Sequence, residues 1–196
     1  MTVGVVIATY ADRQAWLNEA VASVSAQTVK PKEILISYQQ EGEGFMDIAR
    51  RLNNLIRKLD CDYYIMLGDD DKLEPNFIET VIRVAEKEQA DIVTVPLTNF
   101  GSASGLHVPG YFPFFTSLVK KSIWEKVGGI DSTIGQIADV DFWWMCMDAG
   151  ARIARTADTF YWYRNHPGQD SKNTKAMQES RVRVLKKHNT NKYPHE

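Results

Sequence analysis

Tyr63-Tyr64-Ile65-Met66-Leu67-Gly68-Asp69-Asp70-Asp71-Lys72-Leu73-Glu74-Pro75 is the stretch on which the fold turns. Its first five residues form a short apolar run bounded by turn formers, the pattern of a strand covered on both faces. After Pro75, Ile78, Val81, Ile82 and Ala85 recur at helical spacing. A proline suits the first turn of a helix, where its missing N–H would have had no partner. A buried strand thus runs into three adjacent carboxylates and then a helix. In α/β sheets that point, beyond a strand's carboxyl end, is where ligands bind.

The pattern repeats on either side. Val3 to Ala8, Glu33 to Ser37 and Asp91 to Val95 read as further strands. Leu17, Ala20, Val21 and Val24 line one intervening helix, and Phe45, Ile48, Ala49, Leu52, Leu55 and Ile56 another. The alternation predicts an α/β fold with a mostly parallel central sheet flanked by helices. Thr98 to Phe115, rich in Gly, Ser, Pro and aromatics, is expected to loop across the sheet's carboxyl edge. Ser122 to Glu125 matches a capping box, and Gly128-Gly129 ends that helix. Another helix is expected from near Asp139 to Gly150, then strands around Arg152 to Arg155 and Phe160 to Tyr163. We expect one domain over 1–172 and a polar, partly helical tail over 173–196. Arg181, Arg183, Lys186 and Lys187 in that tail suit a solvated surface, or a peripheral contact with an anionic membrane or partner.

At 196 residues and 44% hydrophobic content, the chain can bury one substantial core. Lys+Arg total 23 and Asp+Glu 25, a net charge of -2, so there is no basic field for nonspecific nucleic-acid binding. Cys61 and Cys146 stand far apart without metal-ligand spacing, which excludes a disulfide framework and a zinc site. The N-terminus enters its first strand without a charged leader, and no apolar run reaches the roughly 18 residues of a spanning helix. A cytoplasmic enzyme without a transmembrane segment is the expectation.

Three carboxylates this close repel one another. They are tolerated on a solvated turn, or where a hard divalent cation takes oxygen ligands from them and bridges to phosphates. Four segments in order decide between these. Asp70-Asp71-Lys72-Leu73-Glu74-Pro75 resembles the acidic metal motif of family 2 glycosyltransferases, whose domain has the GT-A (Rossmann-like) fold. Leu118 to Asp131 resembles that family's acceptor-side segment. Ala138-Asp139-Val140-Asp141-Phe142-Trp143 resembles its Glu-Asp-x-Asp catalytic motif, and Tyr163-Arg164-Asn165-His166-Pro167-Gly168-Gln169-Asp170-Ser171 its closing motif. The resemblance covers about residues 3 to 172.

The resemblance implies an inverting transferase that moves a sugar from a nucleotide-diphosphate sugar, a UDP-sugar in the first place, to a hydroxyl of a glycan, protein or lipid-linked acceptor. It implies Mn2+ or Mg2+ held by Asp69, Asp70 and Asp71, with His166 completing the shell or touching the phosphates. Such a cation stabilises charge developing on the departing diphosphate. Ala8, Thr9 and Tyr10 end the first strand where the family contacts its nucleotide; Tyr38, Arg50, Asp69 and Asp70 join that nucleotide-sugar site. Asp139 matches the general base that takes the acceptor's proton, and Asp141 and Trp143 fall on the acceptor side. Each residue also has a plainer role: helix cap for Asp139, packing for Tyr10 and the tryptophans, solvated helix face for Arg50, surface turn for His166.

The chain departs from the family at three points. Tyr38-Gln39 stands where acidic residues hold the base, Gly68 where a first acidic residue occurs, and Ala138 where Glu precedes the catalytic Asp. A base pocket less dependent on carboxylates follows. The chain also ends soon after its closing motif, which disfavours a processive polymerase. A nucleotidyltransferase would want a glycine-rich phosphate loop after the first strand, and Ala8 to Arg13 contains no glycine. A noncatalytic glycan-binding or sugar-nucleotide-binding module would be signalled by loss of Asp139 or the acidic turn, and both are present.

Overall fold

The computed structural model describes residues 1–44, 46–102, 105–107, 117–169 and 172–192. Strands β1 (Val3–Thr9) and β3 (Tyr63–Gly68) are buried along nearly their whole length, as apolar runs without polar alternation require. They pair in parallel with Ala8 opposite Gly68, and β2 (Glu33–Tyr38) lies parallel on the other side of β1 with Thr9 opposite Tyr38. Because successive strand residues point to opposite faces, one sequence feeds two cores. Val5, Ile7, Ile65 and Leu67 cluster with α1 (Gln14–Ser25) and α3 (Phe77–Glu88). Val6, Tyr64 and Met66 cluster with α2 (Asp47–Lys58), α4 (Lys121–Val127) and α5 (Ala138–Asp148).

With β5 (Ile92–Thr94), β8 (Ser117–Lys120) and β9 (Ile153–Arg155), the main sheet runs β2-β1-β3-β8-β5-β9. Strand β8 is antiparallel to both its neighbours, and the other pairings are parallel. The expected α/β domain with a mostly parallel sheet is what forms. The reversal at β8 has a topological cause. After β5 the chain stays at the carboxyl edge to build a second sheet, so its next strand enters from that edge and runs back. The second sheet is ordered β4-β10-β6-β7, from β4 (Lys72–Leu73), β6 (Leu97–Gly101), β7 (Gly105–His107) and β10 (Tyr161–Asn165). Part of the expected loop from Thr98 to Phe115 is therefore strand; residues 103–104 and 108–115 of it lie outside the described residues, as do Phe45, Asp170 and Ser171.

Other boundaries moved for local reasons. Helix α4 starts at Lys121 with Lys120 as an extended N-cap and no side-chain cap, so Ser122 sits inside the helix and the expected capping box is not made. The glycine stop holds, with Gly128 left-handed at φ 83. Pro75 lies in the turn ahead of α3, whose N-cap is Asn76. The tail forms α6 (Thr174–Lys187), and instead of lying wholly in solvent it buries Ser180 and Val184. Among the described residues no helix is long and apolar enough to cross a membrane.

One polar residue ties α2 to the segment after α4. The Asn53 amide oxygen accepts from Trp124 Nε1 (3.0 Å) and Ile130 N (2.9 Å), and its Nδ2 donates to Ile130 O (2.6 Å). Gly129, at φ +87, permits the approach: a Cβ there would fall 2.8 Å from the Asn53 Oδ1. Asn53→Ala strands all three partners and should cost about 2 kcal/mol, seen as a melting temperature roughly 4–8 °C lower. An unchanged melting curve would mean that water replaces these bonds at no cost.

Candidate functional site

The acidic turn is held at the carboxyl ends of β1 and β3 by donors from distant parts of the chain. Asp69 Oδ2 accepts from Thr9 Oγ1 (2.8 Å) and Tyr10 N (3.1 Å). Its Oδ1 faces Arg13 Nη1 at 3.2 Å, and the same nitrogen lies 3.3 Å from Asp70 Oδ2. Asp71 is buried: its Oδ2 accepts from the Tyr161 hydroxyl (2.9 Å) and its Oδ1 from Arg164 N (2.8 Å). The Tyr161 hydroxyl in turn accepts from Gly68 N at 3.0 Å, which locks β10 of the small sheet to the end of β3. His166 Nε2 closes the cluster 3.0 Å from Asp70 Oδ2, 96 residues away in sequence. Burial pushes the Asp69 carboxyl up, against the Thr9 and Tyr10 donors. Burial and the charge of Asp70 push Asp71 well above the usual carboxylate range. Tyr161 is likewise raised by burial and by Asp71, so its hydroxyl keeps the proton it donates.

Of the residues expected in the nucleotide-sugar site, Ala8, Thr9 and Tyr10 meet Asp69 and Asp70 at one sheet edge. The Tyr10 ring lies 4.5 Å from the Arg13 guanidinium. Tyr38, 50% exposed, ends β2 beside Thr9. Arg50 is half exposed, and its guanidinium pairs with Glu43 and Asp47 on the open side of α2. Its neighbour Arg51 is the inward one, 3% exposed, donating from Nη1 to Thr9 O (2.8 Å) and Ser37 O (3.1 Å) beneath the ends of β1 and β2. Arg51 Nη2 is buried with no hydrogen-bond partner among the described residues, a donor left unsatisfied. The signal was legible: Arg51 sits on the apolar stripe between Ile48 and Leu55, and Arg50 does not. Sequence reasoning also passed over Arg13, Tyr161 and Trp16, whose ring centroid is 4.6 Å from that of His166. Asp12, Arg13, Trp16 and His166 border a cavity of about 420 Å³ beside the acidic turn.

Asp139 lies in the first turn of α5, partly buried, with Oδ1 accepting from Val140 N at 2.9 Å. The N-cap of that helix is Ile137, so Asp139 is not its cap. Burial raises its pKa to about 7, opposed by the N–H groups of Val140 and of Asp139 itself. The N-terminus of α5 opens toward the same edge as the acidic turn. A Cβ on Gly135 would lie 3.1 Å from Met46 Sδ, and Met46 starts the helix that leaves the carboxyl end of β2. The two acceptor-side expectations are corrected. Asp141 is 0% exposed, with its carboxylate held by Lys187 and His188, and Trp143 is 3% exposed in the core cluster of α5; neither presents a surface to an acceptor. Trp144 is also buried, stacked on His188.

The four residues expected to hold a metal, Asp69, Asp70, Asp71 and His166, are not arranged as one ligand set. Asp69 and Asp71 spend their oxygens on protein donors, and among the described residues no group of three or more His, Cys, Asp or Glu is arranged to hold a cation. Asp70, whose Oδ2 faces Arg13 and His166, keeps its other oxygen without a protein donor among the described residues, and His166 lies beside it. A carboxylate and an imidazole, with further positions left to phosphate oxygens, suit Mn2+ or Mg2+ shared with a diphosphate. They do not make a cage that binds the ion alone.

No protein-family profile matches the chain, and no curated protein matches it by sequence. Solved structures do match by fold. S. aureus TarS 1-349 in complex with UDP superposes with a TM-score of 0.69 at 12% identity, covering 94% of this chain and 66% of that one. The same protein in complex with UDP-GlcNAc gives 0.71 at 11% identity, covering 94% and 67%. A longer TarS structure gives 0.70 at 11% identity, with this chain spanning only 40% of its length. The chain therefore shares the fold of the TarS 1-349 region and covers about two thirds of that region.

Proposed function

We propose that this chain is an inverting, nucleotide-sugar-dependent glycosyltransferase of the family 2 type. The observation that carries the proposal is the cluster at the carboxyl end of β1 and β3, where His166 meets Asp70 across 96 residues of sequence. Two further features support it: the fold is shared with structures holding UDP and UDP-GlcNAc, and Asp139 has a proton affinity poised near neutrality.

In this reading Tyr10 and Tyr38 flank the nucleotide, and Arg51 Nη2 donates to it from below. Asp70 and His166 would hold a divalent cation, which would supply positive charge against the departing diphosphate. Arg13, now between Asp69 and Asp70, lies within reach of the same oxygens. Asp139 takes the proton of an acceptor hydroxyl as it attacks the anomeric carbon from the face opposite the diphosphate, so that one displacement inverts the centre. A base with pKa near 7 is ionised often enough to act at neutral pH and basic enough to pull the proton.

The test is release of nucleoside diphosphate from a panel of UDP-, GDP-, ADP- and CDP-sugars with manganese, by hydrolysis or transfer. One or more UDP-sugars should turn over, with UDP competing best. Turnover of none, together with no UDP binding by calorimetry, would sink the proposal. UDP binding without any turnover would leave the noncatalytic module.

A further inference from the structure

We propose that Lys187 and His188, at the end of α6, are positioning residues that fix the helix turn carrying Asp139 by clamping Asp141. The proposal rests on the reading of Asp139 as the base.

One face of α6 grips the segment that leads into and out of that turn. Gln136 N donates to Ser180 Oγ at 3.0 Å, and Arg183 Nη1 donates to Ile134 O at 3.1 Å, both ahead of Asp139. Lys187 Nζ reaches Asp131 Oδ2 (2.8 Å) and Asp141 Oδ2 (2.7 Å). His188 Nε2 lies 2.9 Å from Asp141 Oδ1, with its ring stacked on Trp144 at 4.0 Å and 10°. Residues 180, 183, 187 and 188 follow the i, i+3, i+4 spacing of a single helix face. The approach is close: Gly135 has φ +95, and a Cβ there would sit 2.7 Å from Ser180 Oγ.

Stability alone is a weak reason for this arrangement. A buried carboxylate with cationic partners loses in desolvation much of what it gains in attraction. For Lys187, burial works against the charge, yet the bonds to Asp131 and Asp141 outweigh it and hold its pKa above the ordinary lysine value. What the network does secure is geometry, since Asp141 is two residues from Asp139 and both of its oxygens are fixed. The charged groups facing the clamp are Asp131, Asp141 and, at 3.9 Å from His188 Nδ1, Asp148. Loosening the turn would let more water reach the partly buried Asp139 carboxyl, and its pKa would drop toward the usual range.

The experiment is carboxyl-detected NMR titration of Asp139 in the full chain, in wild type, in Lys187→Gln/His188→Gln and in Lys187→Arg. In the double variant the titration should fall from near neutrality to about 6 or below, and kcat for transfer should drop about 10- to 100-fold. The KM for donor and the affinity for UDP should hold, and Lys187→Arg should keep the wild-type titration. A titration unchanged in the double variant overturns the proposal, as does a loss of kcat that tracks melting temperature alone. Should the double variant fail to fold, His188→Gln carries the same comparison. The titration needs no donor or acceptor, so a shifted Asp139 in an enzyme that turns over no sugar nucleotide would retain the clamp and discard the proposed activity.

Discussion

Asp139→Asn is expected to lower sugar transfer by about 10²–10⁴-fold, the usual contribution of a general base, while UDP affinity stays within about twofold of wild type. Asn keeps the size of the side chain and can still accept from Val140 N, so what is lost is basicity. The pH profile separates this from a binding defect. With a carboxyl whose pKa burial raises to about 7, kcat/KM should rise with pH through neutrality in the wild type and lose that limb in the variant. Stability should move in the opposite sense. A carboxyl whose folded pKa lies above its unfolded value is most favourable to the fold below the unfolded value, and that contribution is lost as pH rises through about 7. Asp139→Asn should therefore melt higher than wild type at pH 8, with the gap closing toward pH 4. Near-normal transfer by the folded variant would remove Asp139 from the mechanism; because Asp141 is sealed by Lys187 and His188, it could replace Asp139 only if α6 moved away.

Much of the architecture was legible because burial writes itself into strand composition. Val3 to Ala8 and Tyr63 to Leu67 have no polar alternation, and a strand with both faces covered needs none. The helix stripes of α1 and α3 were equally readable, since only one face of each meets the sheet. Strand β8 is a different case: four residues, Ser117–Lys120, carry too little pattern to be told from the start of the helix that follows. Strands β6 and β7 hid in a stretch whose glycines and aromatics suit a loop equally well. In the site, the acidic turn is a local signal and His166 enters only through its resemblance to the family's closing motif. Sequence could not reveal that Tyr161 and Arg164 would occupy Asp71, or that Arg13 would bridge Asp69 and Asp70, because those pairs span 56 to 93 residues and exist only once the strands assemble. Arg51 was legible too, since helical phase alone assigns it, and not Arg50, to the buried face.

The adjacent carboxylates Asp70 and Asp71 should fail in opposite ways. Asp70 is partly accessible and faces His166 and Arg13, so Asp70→Ala removes a ligand-facing charge, and Arg13 Nη1 keeps Asp69 as a partner. Its melting temperature should stay within about 2 °C of wild type. Its manganese-dependent affinity for UDP should fall about 100-fold or more, because without a shared cation the remaining carboxylates repel a diphosphate. Wild type treated with EDTA should fall to the level of this variant, and the variant should not respond to EDTA. Asp71 has no such freedom. Both its oxygens are consumed by Tyr161 and Arg164 N, and truncation leaves a buried hydroxyl and a buried N–H without partners. Asp71→Ala should cost about 2–4 kcal/mol and melt roughly 4–12 °C lower, with any loss of UDP binding following from the loosened joint between β3 and β10. Equal UDP affinity with manganese and with EDTA in the wild type would dismiss the cation at Asp70 and His166. An Asp71→Ala protein as stable as wild type would show instead that the joint between the two sheets does not depend on that carboxylate.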